Sequence, residues 1–136
     1  MSQGPDERNV EIVRSAYAAM AERGLEAALA FTDPEFETTT PPSLASEPDT
    51  YRGHEGVRRY FGSFGDAMEG VYLEGREFTP VSDKVVVDTT MHARGRTTGI
   101  ETAQRAFLVW TLREGLLIGL ETFAEREQAV EAAGLR

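Results

Sequence analysis

The sequence has no cysteine, so disulfide staples, thiolate nucleophiles and cysteine metal sites are all excluded. Its two histidines, His54 and His92, lie far apart, whereas a zinc site gathers three or four clustered ligands. No metal site is expected. Basic residues are few, 14 against 23 acidic, for a formal net charge of −9. A nucleic-acid backbone would be repelled on average, so no nucleic-acid partner is expected. No apolar run approaches the ~20 residues that cross a bilayer. The segment Met1–Arg8 also lacks a basic-then-apolar signal pattern. The expectation is a cytoplasmic protein with no membrane partner. Gly53-His-Glu-Gly56 and Gly95-Arg-Thr-Thr-Gly99 match neither nucleotide-binding fingerprint. There is no Gly-x-Ser-x-Gly nucleophile elbow. No cofactor is expected.

What is present is a globular composition, 40% hydrophobic and 27% charged over 136 residues, which fits one domain spanning 1–136. Val10, Val13, Tyr17 and Met20 recur at helical spacing and predict an amphipathic helix from about Asn9 to Arg23. Asp6 or Asn9 is the expected cap and Gly24 the stop. A short second helix is expected over Leu25–Phe31, broken by Asp33-Pro34. The alternation of Glu35–Thr40 reads as a strand with Glu37 and Thr39 on one face, and Phe36 and Thr38 on the other. Pro41–Thr50 holds three prolines and reads as a loop, either a lid over a site or a plain connection. A third helix follows Tyr51–His54, with Val57, Tyr60, Phe61, Phe64 and Met68 at helical spacing.

The second half reads as strands. Val71–Thr79 and Val85–Arg94 precede a long hairpin whose arms, Gln104–Leu112 and Leu116–Phe123, flank Arg113-Glu114-Gly115. Parity places Gln104, Ala106, Leu108 and Trp110 on one face, and Gly119, Glu121 and Phe123 together on one face. That pattern fits a ligand-lined surface, or equally a core hairpin with Glu121 in solvent. The order of elements is α+β, helices packed on one face of a curved antiparallel sheet.

Asn9–Tyr17, Tyr51-Arg-Gly-His-Glu-Gly-Val-Arg58, Trp110–Gly115 and Glu121–Gly134, in this order, resemble the SnoaL-like branch of the nuclear-transport-factor-type superfamily. The resemblance implies a cone-shaped α+β barrel, three helices and a strongly bent, mostly antiparallel sheet enclosing a pocket, commonly in a homodimer. Members include polyketide cyclases, steroid isomerases, epoxide hydrolases and proteins of no known activity, so fold alone does not give function. The epoxide-hydrolase register places Tyr17, Met20, Glu37, Thr39, Phe61, Phe64, Met68, Thr90, His92, Arg94, Gln104, Ala106, Leu108, Trp110, Glu121 and Phe123 in the pocket. The bridging arginine of epoxide opening is missing, since the corresponding positions read Thr90, His92 and Glu121, and epoxide hydrolysis is disfavoured.

What the resemblance leaves is His92 facing Glu121, an imidazole beside a carboxylate suited to proton transfer on an apolar or aromatic small molecule. The expected function is a cofactor-independent cyclase or isomerase with His92 and Glu121 catalytic. The alternatives are a binding module for a hydrophobic metabolite, or a dimeric domain with a vestigial pocket in which the pair merely satisfies itself. His54 is expected to cap a helix or lie at the surface. Arg105 and Arg113 are expected on the sheet exterior or at a dimer contact.

Overall fold

The computed structural model describes residues 5–39, 50–62 and 68–134. The expected Pro41–Thr50 loop (apart from Thr50) and Phe64 lie outside them, as does the side chain of Phe61. Helix α1 spans Pro5–Arg23 and α2 Leu25–Ala28, continued by a 3-10 turn at Leu29–Phe31. Strand β1 (Thr32–Thr39), β2 (Thr50–Arg52) and α3 (Gly53–Gly62) follow, then β3 (Met68–Val81), β4 (Lys84–Gly95), β5 (Glu101–Arg113), β6 (Leu116–Phe123) and α4 (Arg126–Ala133). The strands form one open mixed sheet in the order β2-β1-β6-β5-β4-β3, parallel only between β1 and β6. This is the cone-shaped α+β architecture that the family resemblance implies.

Several boundaries differ from the sequence reading. Helix α1 begins at Pro5, which suits a first helical position because its missing N–H would be unpaired anyway. Asp6 and Asn9 therefore lie inside the helix and do not cap it. The second helix has ended by Phe31, as expected ahead of Asp33-Pro34, and that pair sits within β1, where the pairing with β6 slips between Thr32 and Glu37. A missing donor costs little at such an irregularity. Pro80 likewise lies in β3, tolerated because β3 is a sheet edge. The β5–β6 turn holds Glu114 and Gly115 at φ 51° and 81°, the left-handed pair that a tight two-residue hairpin requires.

Both sheet faces are covered. On the concave face Val13, Ala16, Tyr17 and Met20 of α1 share one buried cluster with Val85, Val87, Leu108, Trp110, Leu112, Leu117 and Leu120. On the convex face α4 brings Ala129 and Ala133 against Val86, Phe107 and Val109, with Phe123 beside them. Adjacent residues of β4 and β5 are therefore buried on opposite sides, and polarity does not alternate along them.

Candidate functional site

Among the described residues, the concave face carries a deep hollow and an outer one. The deeper is a cavity of about 40 Å³ enclosed by α1, α2, α3 and four strands, with Tyr17, Met20, Phe36, Tyr60, Leu73 and Trp110 among its walls. An apolar cavity needs roughly 150 Å³ to take a benzene ring, so this one admits no more than a chain end. The outer hollow, about 300 Å³, is lined by Met68 and Val71 of β3, Met91 and Ala93 of β4, and Thr102 and Gln104 of β5. Leu73 and Met91, directly paired across β3 and β4, stand between the two.

Polar groups around the deep cavity are engaged with one another. The Trp110 indole N–H donates to the Tyr17 hydroxyl at 2.9 Å, which lies 2.8 Å from the Thr89 hydroxyl. Thr89 spends its own proton on the Val87 carbonyl, so Tyr17 is the donor to Thr89. Thr38 donates to the Leu120 carbonyl and Thr32 to the Ala28 carbonyl. Among the described residues no buried side-chain nitrogen or oxygen lacks a partner. Burial pushes the Tyr17 hydroxyl above the ordinary phenol range, and that of Tyr60 upward as well, against an opposing hydrogen bond from Thr122. Both stay neutral near pH 7. Among the described residues, the lining of these hollows holds no histidine and no carboxylate.

Of the residues expected in the pocket, Tyr17, Met20 and Trp110 line the deep cavity, and Leu108 and the half-buried Ala106 belong to the same core. Met68 and Gln104 line the outer hollow. Phe64 and the Phe61 side chain lie outside what the structure describes, and the others are elsewhere. In β1 it is Phe36 and Thr38 that face inward, while Glu37 pairs with Arg52 at 3.2 Å and Thr39 bonds Thr50, both at the surface. In β4 the inward residues are Val87, Thr89 and Met91, which turns Thr90, His92 and Arg94 to the convex side. In β6 Leu117 and Leu120 face inward. Glu121, opposite Val109, is exposed, and Phe123 packs in the convex cluster.

His92 and Glu121 therefore do not face each other across a hollow. The His92 Nε2 bonds the Glu74 carboxylate at 2.8 Å, and its ring stacks on Tyr72 at 4.7 Å, in an open groove on the outer face. Arg94 pairs with Glu101 at 3.0 Å nearby. Arg105 does serve the sheet exterior, holding Asp88 through two hydrogen bonds of 2.9 and 2.6 Å. Arg113 pairs with Glu35 and Asp33. His54 caps no helix; its Nε2 lies 2.7 Å from the Thr32 carbonyl and ties α3 to β1. Sequence reasoning missed Thr89, Leu73 and Met91 as inward residues. The unbroken run Val85-Val86-Val87, buried on both faces, gave no signal for which of the following residues turns inward.

The Arg105 guanidinium holds the Asp88 carboxyl below its ordinary value, against an opposing effect of burial. A depressed folded-state pKa gives stability that is present above the unfolded value of about 4 and lost as pH falls through the lower folded value. Because Arg105 is largely exposed, the effect is modest, about 1 kcal/mol or less. Asp88→Asn is expected to flatten the acid limb of the stability curve below about pH 4 and to leave its shape at neutral pH unchanged. Urea unfolding at several pH values reads this directly.

The SnoaL-like domain profile matches residues 13–119. The chain belongs to the SnoaL-like domain family. Its fold is shared by several solved structures. An NTF2-like protein of unknown function from Burkholderia pseudomallei K96243 is 22% identical, with 98% of this chain and 99% of that one covered and a TM-score of 0.72. TerC, solved with polyporic acid, is 24% identical over 93% of this chain and 98% of its own, with a TM-score of 0.73. A protein from Jannaschia sp. CCS1, provisionally called a SnoaL-like polyketide cyclase, is 18% identical over 98% and 96%, with a TM-score of 0.71. At these identities the likeness establishes the fold. No curated protein matches the SnoaL-like chain in sequence. Among its described residues no helix is long and apolar enough to cross a membrane.

Proposed function

We infer that this SnoaL-like protein binds a small apolar molecule on its concave face and does not use His92 and Glu121 to transform it. One observation carries the reading: the apolar hollows lie on one side of the sheet, and the imidazole and carboxylates lie on the other. A general acid or base must come within hydrogen-bond reach of the proton it moves. The outer hollow has the volume of a small ligand site, and its walls are mainly methionine, valine and alanine. TerC, a relative in fold, was solved with a small molecule, polyporic acid, which supports small-molecule binding without specifying the ligand's polarity.

The test is thermal unfolding with a panel of neutral apolar and aromatic molecules, followed by recovery of each ligand. A true ligand at about 100 times its Kd stabilises by about 2.7 kcal/mol and comes back chemically unchanged. His92→Ala and Glu121→Gln are expected to keep that stabilisation. Ligand turnover abolished by His92→Ala would overturn the reading.

A further inference from the structure

We propose that the ligand sits in the outer hollow over Ala93, and that the hollow takes the flat face of an aromatic ring against the thioethers of Met68 and Met91. This rests on the reading above and adds where the molecule sits and which residues select it. The floor comes from β4. Met91 and Ala93 share its inward face, and Ala93 carries only a methyl group. On β5, Thr102 pairs with Ala93 and Gln104 with Met91. On β3, two residues, Gly70 and Val71, stand opposite Ala93 alone. Gly70 takes φ 62°, so this is a bulge whose first member is a left-handed glycine.

The bulge shapes the wall. Strict alternation would send Met68 and Val71 to opposite faces of the sheet. The extra residue brings both into the hollow and leaves Glu69 and Tyr72 in the groove on the outer face. A methyl floor thus lies between two methionines. The hollow, about 300 Å³, is roughly twice the 150 Å³ that takes a benzene ring, so two fused rings fit. Thioether sulfur is polarisable and gains from lying against a ring, a gain that a saturated skeleton does not offer. The site needs no passage to the deep cavity, since Leu73 is buried. Thr102 and Gln104 are exposed at the rim. A ring substituent beyond them stays in water, so the hollow selects the ring and not its charge.

The experiment compares 2-naphthol with 2-decalol, its saturated counterpart, by calorimetric titration. The saturated skeleton buries at least as much apolar surface, so hydrophobicity alone gives no preference for the flat ring. The protein is expected to hold 2-naphthol at least about threefold more tightly, the low end for two thioether–ring contacts. Norleucine in place of methionine keeps the side-chain shape without the sulfur, and should shrink that preference by the same factor. Ala93→Leu fills the floor at a half-buried position and should weaken 2-naphthol by at least about tenfold, with far-ultraviolet dichroism checking its fold. Equal affinity of the natural protein for the two alcohols would overturn the proposal, whatever Ala93→Leu does to folding. So would a preference that norleucine leaves unchanged, or a folded Ala93→Leu protein with undiminished affinity. In any of those events, stabilisation by other apolar molecules leaves the binding reading intact, and only a wholly inert panel removes both.

Discussion

Trp110→Ala is expected to destabilise the protein by about 3–5 kcal/mol, the range for removing a large aromatic from a packed interior. The indole is 6% exposed, and meets Tyr17 edge-on at 6.0 Å and Phe36 at 6.4 Å. It ties helix α1, through Tyr17, to strand β1, through Phe36. Its N–H also starts the hydrogen-bonded run through Tyr17 and Thr89. Truncation thus removes contact area, opens a void beside an existing cavity, and takes a donor from a buried phenol. Equilibrium unfolding in urea gives the number. Changes at His92 and Glu121, by comparison, fall in the range of surface substitutions, within about 1 kcal/mol.

The second large effect is expected at Gly75. A Cβ built there would lie 2.2 Å from Cζ of Phe78 and 2.7 Å from Cε1, closer than atoms can come. The Phe78 ring covers the bare backbone of its own strand, held there by Tyr17 edge-on at 5.6 Å and by the Arg14 guanidinium 4.5 Å above its centre. The bulge between Gly75 and Glu77 brings the two residues onto the same face. Gly75→Ala must therefore displace an aromatic ring wedged against α1, at about 3 kcal/mol, the upper end for overpacking. If the ring is the cause, the same change should be nearly neutral in a Phe78→Ala background. The double-mutant cycle isolates that contact. A full penalty in both backgrounds would mean that the strand backbone, not the ring, resists the side chain.

Which side a residue faces decides how legible the fold and site were in the sequence. Helix α1 showed its inward face through Val13, Tyr17 and Met20, because solvent covers the other side and the periodicity survives. The β5–β6 hairpin announced itself by Glu114-Gly115. Strand β5 also gave the right inward set, Ala106, Leu108 and Trp110, since its large residues fall on one parity. Strand β4 hid its orientation. Val85, Val86 and Val87 are all buried, two against α1 and one against α4, so apolar character points both ways. Whether Thr89 or Thr90 faces inward cannot be read from two adjacent threonines, and the choice decides where His92 goes. Strand β6 was misread by one residue: Trp110 is paired with Leu120, so alternation sends Glu121 and Phe123 to the opposite side, against Val109 and Phe107. In β1, Glu37 drew the eye as a carboxylate, yet Arg52 on the neighbouring strand satisfies it at the surface. A single-residue shift in three strands separated the chemistry from the cavity.

That separation is tested most directly with the methionine methyls. Met20 lines the deep cavity and Met68 and Met91 the outer hollow, and the fourth methionine is Met1. With methyl-labelled methionine and labelled histidine, a nuclear magnetic resonance titration with a stabilising neutral ligand reads both faces of the sheet in one sample. Shifts at Met68 and Met91 with His92 unmoved are the predicted result. A His92 ring signal that tracks ligand saturation while those two methyls stay still would contradict it.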